Sequence, residues 1–261
     1  MTTPVLGVIP ARLASTRLRE KPLQPILGRP LLEWVWRRVS AMQLFHRVVV
    51  ATESEEILAL CRSLGAEARM TDPGHASGTD RVAEVLRMPE HAAYEVVVNI
   101  QGDEPLVEEA HLAEAVRLIT EGPWELATCA TPLRSAPLLQ DPGVVKVARA
   151  VNGRALYFSR AGIPFQRDGV PSEESLAGPL FLRHLGIYAY RRDALLRWVA
   201  LPPSPLEELE RLEQLRVLEA GMAMGVAVVD RAAPGVDTPA DLVRMEGFLE
   251  RGHRPLPSTE S

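Results

Sequence analysis

The apolar positions of the chain follow two alternating periods. Val5 to Ile9 is a continuous apolar run ending at Pro10, which has no N–H for a sheet ladder, so a buried strand should stop there at its carboxyl edge. After the break at Gly28-Arg-Pro30, Leu31, Leu32, Val35 and Val39 recur at helical spacing and predict a helix covering that strand. Arg47 to Ala51 is β-branched, Thr52 or Ser54 can cap the helix that follows through Ile57, Leu58 and Leu64, and Gly65 ends it. Ala66 to Met70 reads as a short third strand. The polar loop 71–80 then leads into a helix expected over Arg81 to Leu86.

Tyr94 to Ile100 is the clearest strand; the acidic tip Gln101-Gly-Asp-Glu-Pro105 follows it, and Glu108 to Ile119 has helical periodicity. The alternation then breaks. Leu126 to Thr131, Val144 to Ala150 and Leu156 to Phe158 follow one another with little helix between them, so an insertion or a turn to a mixed sheet is expected. Residues 167–180, rich in glycine and proline turns, read as a mobile surface loop. Arg183 to Tyr190 alternates as a strand and Arg192 to Val199 as a helix. Ser204 then caps a helix with Pro205 in its first position and Leu206, Leu209, Leu212, Leu215 and Leu218 along it, ended by Gly221. Val226 to Val229 is a last strand, Thr238-Pro-Ala-Asp241 opens a final helix, and 251–261 reads as a frayed tail. No repeat or linker demands independent domains. The expectation is an α/β fold over 1–261, with a mostly parallel central sheet, helices on both faces and a smaller mixed insertion.

Composition narrows the function. The 261 residues are 46% hydrophobic and 24% charged, an ordinary globular balance. With 29 Lys and Arg against 34 Asp and Glu, the net charge of -5 disfavours a general nucleic-acid surface. Cys61 and Cys129 are far apart and lack metal-ligand spacing, so both are expected to be buried thiols. Met1-Thr-Thr-Pro-Val has no basic region followed by a long apolar core, and no run of about 18 apolar residues occurs, so no membrane partner and a cytoplasmic location are expected.

Positive charge is local instead. Arg12, Arg17, Arg19 and Lys21 crowd the loop after the first strand together with Ser15 and Thr16, an arrangement of cations, hydroxyls and backbone amides that suits a polyphosphate, although a basic loop can equally be solvated. The chain lacks GxGxxG and GxxxxGK[ST], which weakens ordinary dehydrogenase and kinase readings. Asp103 ends a buried strand, where a carboxylate can meet phosphate-bound Mg²⁺ or merely form a turn. Asp237 reads either as an Asx turn ahead of Thr238 or as a second carboxylate for the same ion. A lone histidine such as His184 reads first as a hydrogen-bonded structural residue, and Glu213 and Gln214 as a solvated helix face.

In register along nearly the whole chain, IPARLASTRLREKPL at 9–23, SGTDR at 77–81, NIQGDEPL at 99–106, ALYFSRAGIPF at 155–165, RHLGIYAYR at 183–191, SPLEELERLEQLRVLEAG at 204–221 and GVDTPADL at 235–242 resemble the 3-deoxy-manno-octulosonate cytidylyltransferase family. Sialic acid cytidylyltransferases look similar in the opening loop, but the QGDEP and LEQLR segments favour the former branch. The resemblance implies a Rossmann-like nucleotidyltransferase fold, a subregion at about 150–225 for sugar binding and dimerisation, and a homodimer. It also implies transfer of CMP from CTP to 3-deoxy-D-manno-octulosonate (Kdo) with Mg²⁺, giving CMP-Kdo and pyrophosphate ahead of lipopolysaccharide assembly. By the same resemblance, Arg12, Ser15, Arg17 and Lys21 hold the triphosphate, while Ser77, Gly78 and Thr79 belong to the cytosine loop. Asp103 and Asp237 are the implied metal carboxylates, and Gln101, Arg160, His184, Tyr188, Glu213 and Gln214 the implied sugar pocket. Arg12, Lys21 and Asp103 would be catalytic. Arg19-Glu20 stands where a proline and glycine are more usual in the family, so the loop conformation can differ while the anchor residues remain.

Overall fold

A computed structural model describes residues 3–14 and 18–251. The expected tail lies almost wholly outside them. Strand β1 (Val5–Pro10) is followed by a 3-10 turn at Lys21–Leu23 and a small hairpin of β2 (Pro25–Ile26) and β3 (Arg29–Pro30). Alternation then runs through α1 (Leu31–Ser40), β4 (Arg47–Thr52), α2 (Glu55–Leu64), β5 (Ala68–Met70), α3 (Gly78–Arg87), β6 (Val96–Asn99) and α4 (Glu109–Glu121). The irregular part comprises β7 (Leu126–Pro132), α5 (Ala136–Gln140), β8 (Lys146–Arg149), β9 (Ala155–Ser159) and α6 (Glu173–Ala177). The chain closes with β10 (Leu182–Arg191), α7 (Arg192–Trp198), α8 (Pro205–Glu210), α9 (Gln214–Glu219), β11 (Met224–Val228) and α10 (Pro239–Glu250).

The main path of the sheet runs β11-β7-β10-β6-β1-β4-β5. β5, β4, β1 and β6 are parallel, as are β7 and β11, while β10 is antiparallel to both β6 and β7. The chain therefore reverses its winding between β1 and β6, which opens a crevice beyond their carboxyl ends. β10 changes register between Leu185 and Tyr188, and its first residues pair with β8, which carries β9; these strands form the mixed insertion.

Both faces of β1 are covered, which explains its unbroken apolar run. Val5 and Ile9 pack with Leu32, Val35 and Val39 of α1, while Leu6 and Val8 pack with Val82, Val85 and Leu86 of α3. Cys61 and Cys129 are buried, and burial pushes their thiols up to about 11 and about 12. Ser54 caps α2, accepting from the Ile57 amide, and Ser204 and Thr238 form the capping boxes of α8 and α10.

Three sequence expectations need correction. α3 begins at Gly78 rather than Arg81, because Ser77 and Asp80 cap each other there. The 167–180 segment is not simply a mobile loop: Ser172 caps α6, and Leu176 is buried with Leu133, Leu139 and Phe181. The leucine run after Ser204 is two helices, since Arg211 takes a left-handed conformation at φ 55° that ends α8. The spacing looked continuous, yet Leu209 faces solvent while Leu212 and Leu215 are buried.

His184 sits against Phe158 and Tyr188, with ring centroids 4.9 and 5.5 Å away, and its Nε2 lies 2.9 Å from the Thr128 hydroxyl. Burial pushes the imidazole down to about 3, so it is neutral at ordinary pH. An unfolded histidine takes up a proton near 6.5 and the folded one does not, so this group withdraws stability as pH falls through that window. Urea unfolding of the wild type should lose about 2 kcal/mol between pH 7 and 4.5 that His184→Asn does not lose. Equal losses in the two proteins would show that His184 titrates normally in the fold.

Candidate active site

The end of β1 opens the site. The Ala11 amide donates to the Ala51 carbonyl at 2.8 Å, after which the chain leaves the sheet with Arg12 exposed. The Leu13 amide donates to Glu53 Oε1 at 3.1 Å, tying this loop to the end of β4. In the turn just beyond β6, a Cβ at Gly102 would lie 3.0 Å from the Pro10 carbonyl oxygen, so this turn approaches the end of β1 as closely as it does because residue 102 has no side chain. The Val236 amide donates to the Asp103 carbonyl at 2.9 Å, which docks the loop before α10 onto the same tip.

Three elements thus deliver Lys21, Asp103 and Asp237 to one point. The Lys21 ammonium donates to Asp103 Oδ2 and, at 3.0 Å, to Asp237 Oδ1. Its side chain is 17% exposed. Burial alone would push this ammonium down, but Asp103 and then Asp237 outweigh it and hold the group above its ordinary value. Glu104, behind them, is pushed up to about 8, first by burial and then by the Asp103 charge, with Arg183 and Lys21 opposing.

Of the residues singled out from sequence, Arg12, Lys21, Gly78, Gln101, Asp103 and Asp237 line one cleft of about 320 Å³. Gln101 is held there by its Nε2, which donates to the Gly186 carbonyl at 2.8 Å beside the β10 register change. Ser15 and Arg17 lie outside the described residues. Among the described residues no group of three or more His, Cys, Asp or Glu forms a metal cage, so the protein donors to any cation here would be the two aspartates.

The remaining residues lie behind or beside this cleft. Ser77 caps α3, and the Thr79 hydroxyl donates to Glu213 Oε1 at 2.7 Å. Burial pushes the Glu213 carboxyl up, with the Thr79 and Ser77 hydroxyls opposing. Arg160 meets carbonyl oxygens rather than a carboxylate, donating to Glu210 O at 2.8 Å and Pro142 O at 2.9 Å. Tyr188 is buried, stacked on Tyr190 and edge-on to Trp198, and Gln214 is buried at the start of α9. Reading the sequence missed Arg81, a buried cleft-lining cation paired with Glu53 at 2.8 Å and donating to Thr71 Oγ1 at 2.7 Å. It stands inside SGTDR, but its partner lies in a different stretch with no spacing to link the two.

The sequence profile of the cytidylyltransferases matches residues 6–224. A 3-deoxy-manno-octulosonate cytidylyltransferase from Gemmatimonas aurantiaca is 48% identical over 92% of each chain. One from Syntrophotalea carbinolica is 45% identical over 94% of this chain and 98% of its own. The fold superposes on a CMP:2-keto-3-deoxy-manno-octonic acid synthetase solved in complex with CTP, with a TM-score of 0.86, 35% identity, and coverage of 95% of this chain and 99% of that one. The expected α/β nucleotidyltransferase fold is the observed one, and the chain belongs to the cytidylyltransferases, within the 3-deoxy-manno-octulosonate cytidylyltransferase family.

Proposed function

We propose that this protein transfers CMP from CTP to Kdo, releasing pyrophosphate, as the activation step for lipopolysaccharide biosynthesis. The observation that carries the reading is the meeting of Lys21, Asp103 and Asp237 at the carboxyl edge of β1 and β6, in a cleft also lined by Arg12. The family relationship supplies the substrates.

Asp103 and Asp237 would hold Mg²⁺. Their fit rests on geometry: both carboxylates already reach one cation, the Lys21 ammonium, and oxygen donors suit a hard ion whose other positions go to phosphate and water. Bound there, Mg²⁺ supplies Lewis-acid charge beside the α-phosphate. The protein's own part is positioning and charge. Arg12 and Lys21, with Ser15 and Arg17, would face the triphosphate and stabilise charge moving onto pyrophosphate. Ser77, Gly78 and Thr79 would present the start of α3 to cytosine. Gln101, Arg160, His184, Tyr188, Glu213 and Gln214 would form the sugar pocket. His184, being neutral, offers Kdo a hydrogen bond, whereas the Arg160 guanidinium, whose described partners are carbonyl oxygens, suits the sugar carboxylate.

We further read 1–261 as one domain, with about 150–225 as the sugar and dimerisation subregion, acting in the cytoplasm without nucleic-acid or membrane partners. No helix of the described residues is long and apolar enough to cross a membrane. Leu156, Leu180 and Leu209, large apolar side chains exposed within that subregion, support a homodimer.

Asp103→Asn should lower turnover by about a hundredfold even at saturating Mg²⁺, and weaken Mn²⁺ binding followed by electron paramagnetic resonance with CTP present. Turnover close to wild type would remove Asp103 from the metal site. Pyrophosphate release should require Kdo and CTP together, with UTP at least about tenfold poorer; faster release with a sialic acid would reassign the substrate. Sedimentation velocity should give a dimer that Leu209→Glu shifts toward monomer, and a monomeric wild type would refute the assembly.

A further inference from the structure

Thr79 stands in the segment assigned to the nucleotide, yet its hydroxyl points elsewhere. The residue is 1% exposed, and its Oγ1–H goes to Glu213 at 2.7 Å across 134 positions of sequence. A threonine hydroxyl has one proton to donate, and the half-buried Glu213 carboxylate already takes it. The acceptor is held as firmly as the donor. Arg211 breaks the helix at φ 55°, and Leu212 and Leu215, buried on either side, fix Glu213 against the start of α3. Ser77, which caps that helix, also reaches Glu213, and the Tyr190 hydroxyl lies beside Thr79 and Asn99. A buried polar cluster therefore joins the first turn of α3 to the α8–α9 junction. Gly78 anchors the other side of that turn, where a Cβ would come 3.2 Å from Pro10 at the end of β1.

We propose that Thr79 is a positioning residue for the sugar pocket: its hydroxyl sets the Glu213 carboxylate, while recognition of the base by 77–79 uses backbone groups. One rigid turn then borders both substrate sites. The inference rests on the assignment of Glu213 to the sugar pocket made above.

Steady-state kinetics on Thr79→Val, Thr79→Ser and Glu213→Gln, with CTP and Kdo varied in turn, tests it. Thr79→Val should raise the KM for Kdo by roughly tenfold or more, the scale of a lost hydrogen bond to a charged group, and leave the KM for CTP within about twofold. Thr79→Ser, which keeps the hydroxyl, should restore wild-type values, and Thr79→Val combined with Glu213→Gln should be little worse than Glu213→Gln alone. A raised KM for CTP with that for Kdo unchanged would overturn the proposal by showing that the hydroxyl serves the base. A Kdo effect in Glu213→Gln without one in Thr79→Val would overturn it while sparing the pocket. No Kdo effect in Glu213→Gln would remove the pocket assignment and the proposal together.

Discussion

Two carboxylates and one ammonium hold this site together. Asp103 and Asp237 come from distant parts of the chain, and carboxylates brought to one point in partly buried surroundings repel strongly unless a cation lies between them. Lys21 provides that cation from a third element. Each component depends on backbone placement as well as charge: Lys21 follows Glu20 in a left-handed conformation, Asp103 follows a glycine pressed on the β1 carbonyl, and Asp237 precedes the capped start of α10. A shift in any one moves the meeting point of all three.

The sheet explains why that point lies beside a second region rather than alone on an edge. β10 runs antiparallel against β6, and at its register change the Gly186 carbonyl receives the Gln101 side chain from the acidic tip. The same strand carries His184 and Tyr188 into the aromatic cluster and extends toward β8 and β9. One strand is thus shared by the core, the tip and the insertion. Small changes in β10 should be felt in all of them, because a packed sheet has little slack to absorb displacement.

Local signals were legible in the sequence wherever the physics is local. The run Val5 to Ile9, the caps at Ser54, Ser204 and Thr238, and the breaks in alternation after α4 all follow from short-range periodicity and hydrogen-bonding chemistry. The aspartates were found as candidates from their positions at a strand end and before a helix. What stayed hidden was long-range pairing. Nothing in the spacing of Glu53 or Thr79 points to Arg81 or Glu213, and the evenly spaced leucines after Ser204 conceal the break at Arg211, beyond which Leu212 and Leu215 are buried although Leu209 faces water. The acidic tip was read for Asp103, but the altered carboxyl beside it, Glu104, depends on three-dimensional burial.

Glu104 bears on how the charges balance. With its carboxyl pushed up to about 8, Glu104 favours its protonated form near neutral pH, which leaves Asp103 and Asp237 as the anions that Lys21 bridges, while Arg183 acts on Glu104 itself. An ionised Glu104 would add a third negative charge in a desolvated position. Were an incoming triphosphate to draw Lys21 away, the two carboxylates would lose the cation that bridges them, so a second cation reaching the same oxygens would favour that exchange. On the proposed function, Asp103 and Asp237 would hold that ion, and the Lys21 ammonium would then be free to face the phosphates. The bridge from Lys21 to both aspartates thus gathers at one point the charges that the proposed function assigns to the triphosphate and its ion.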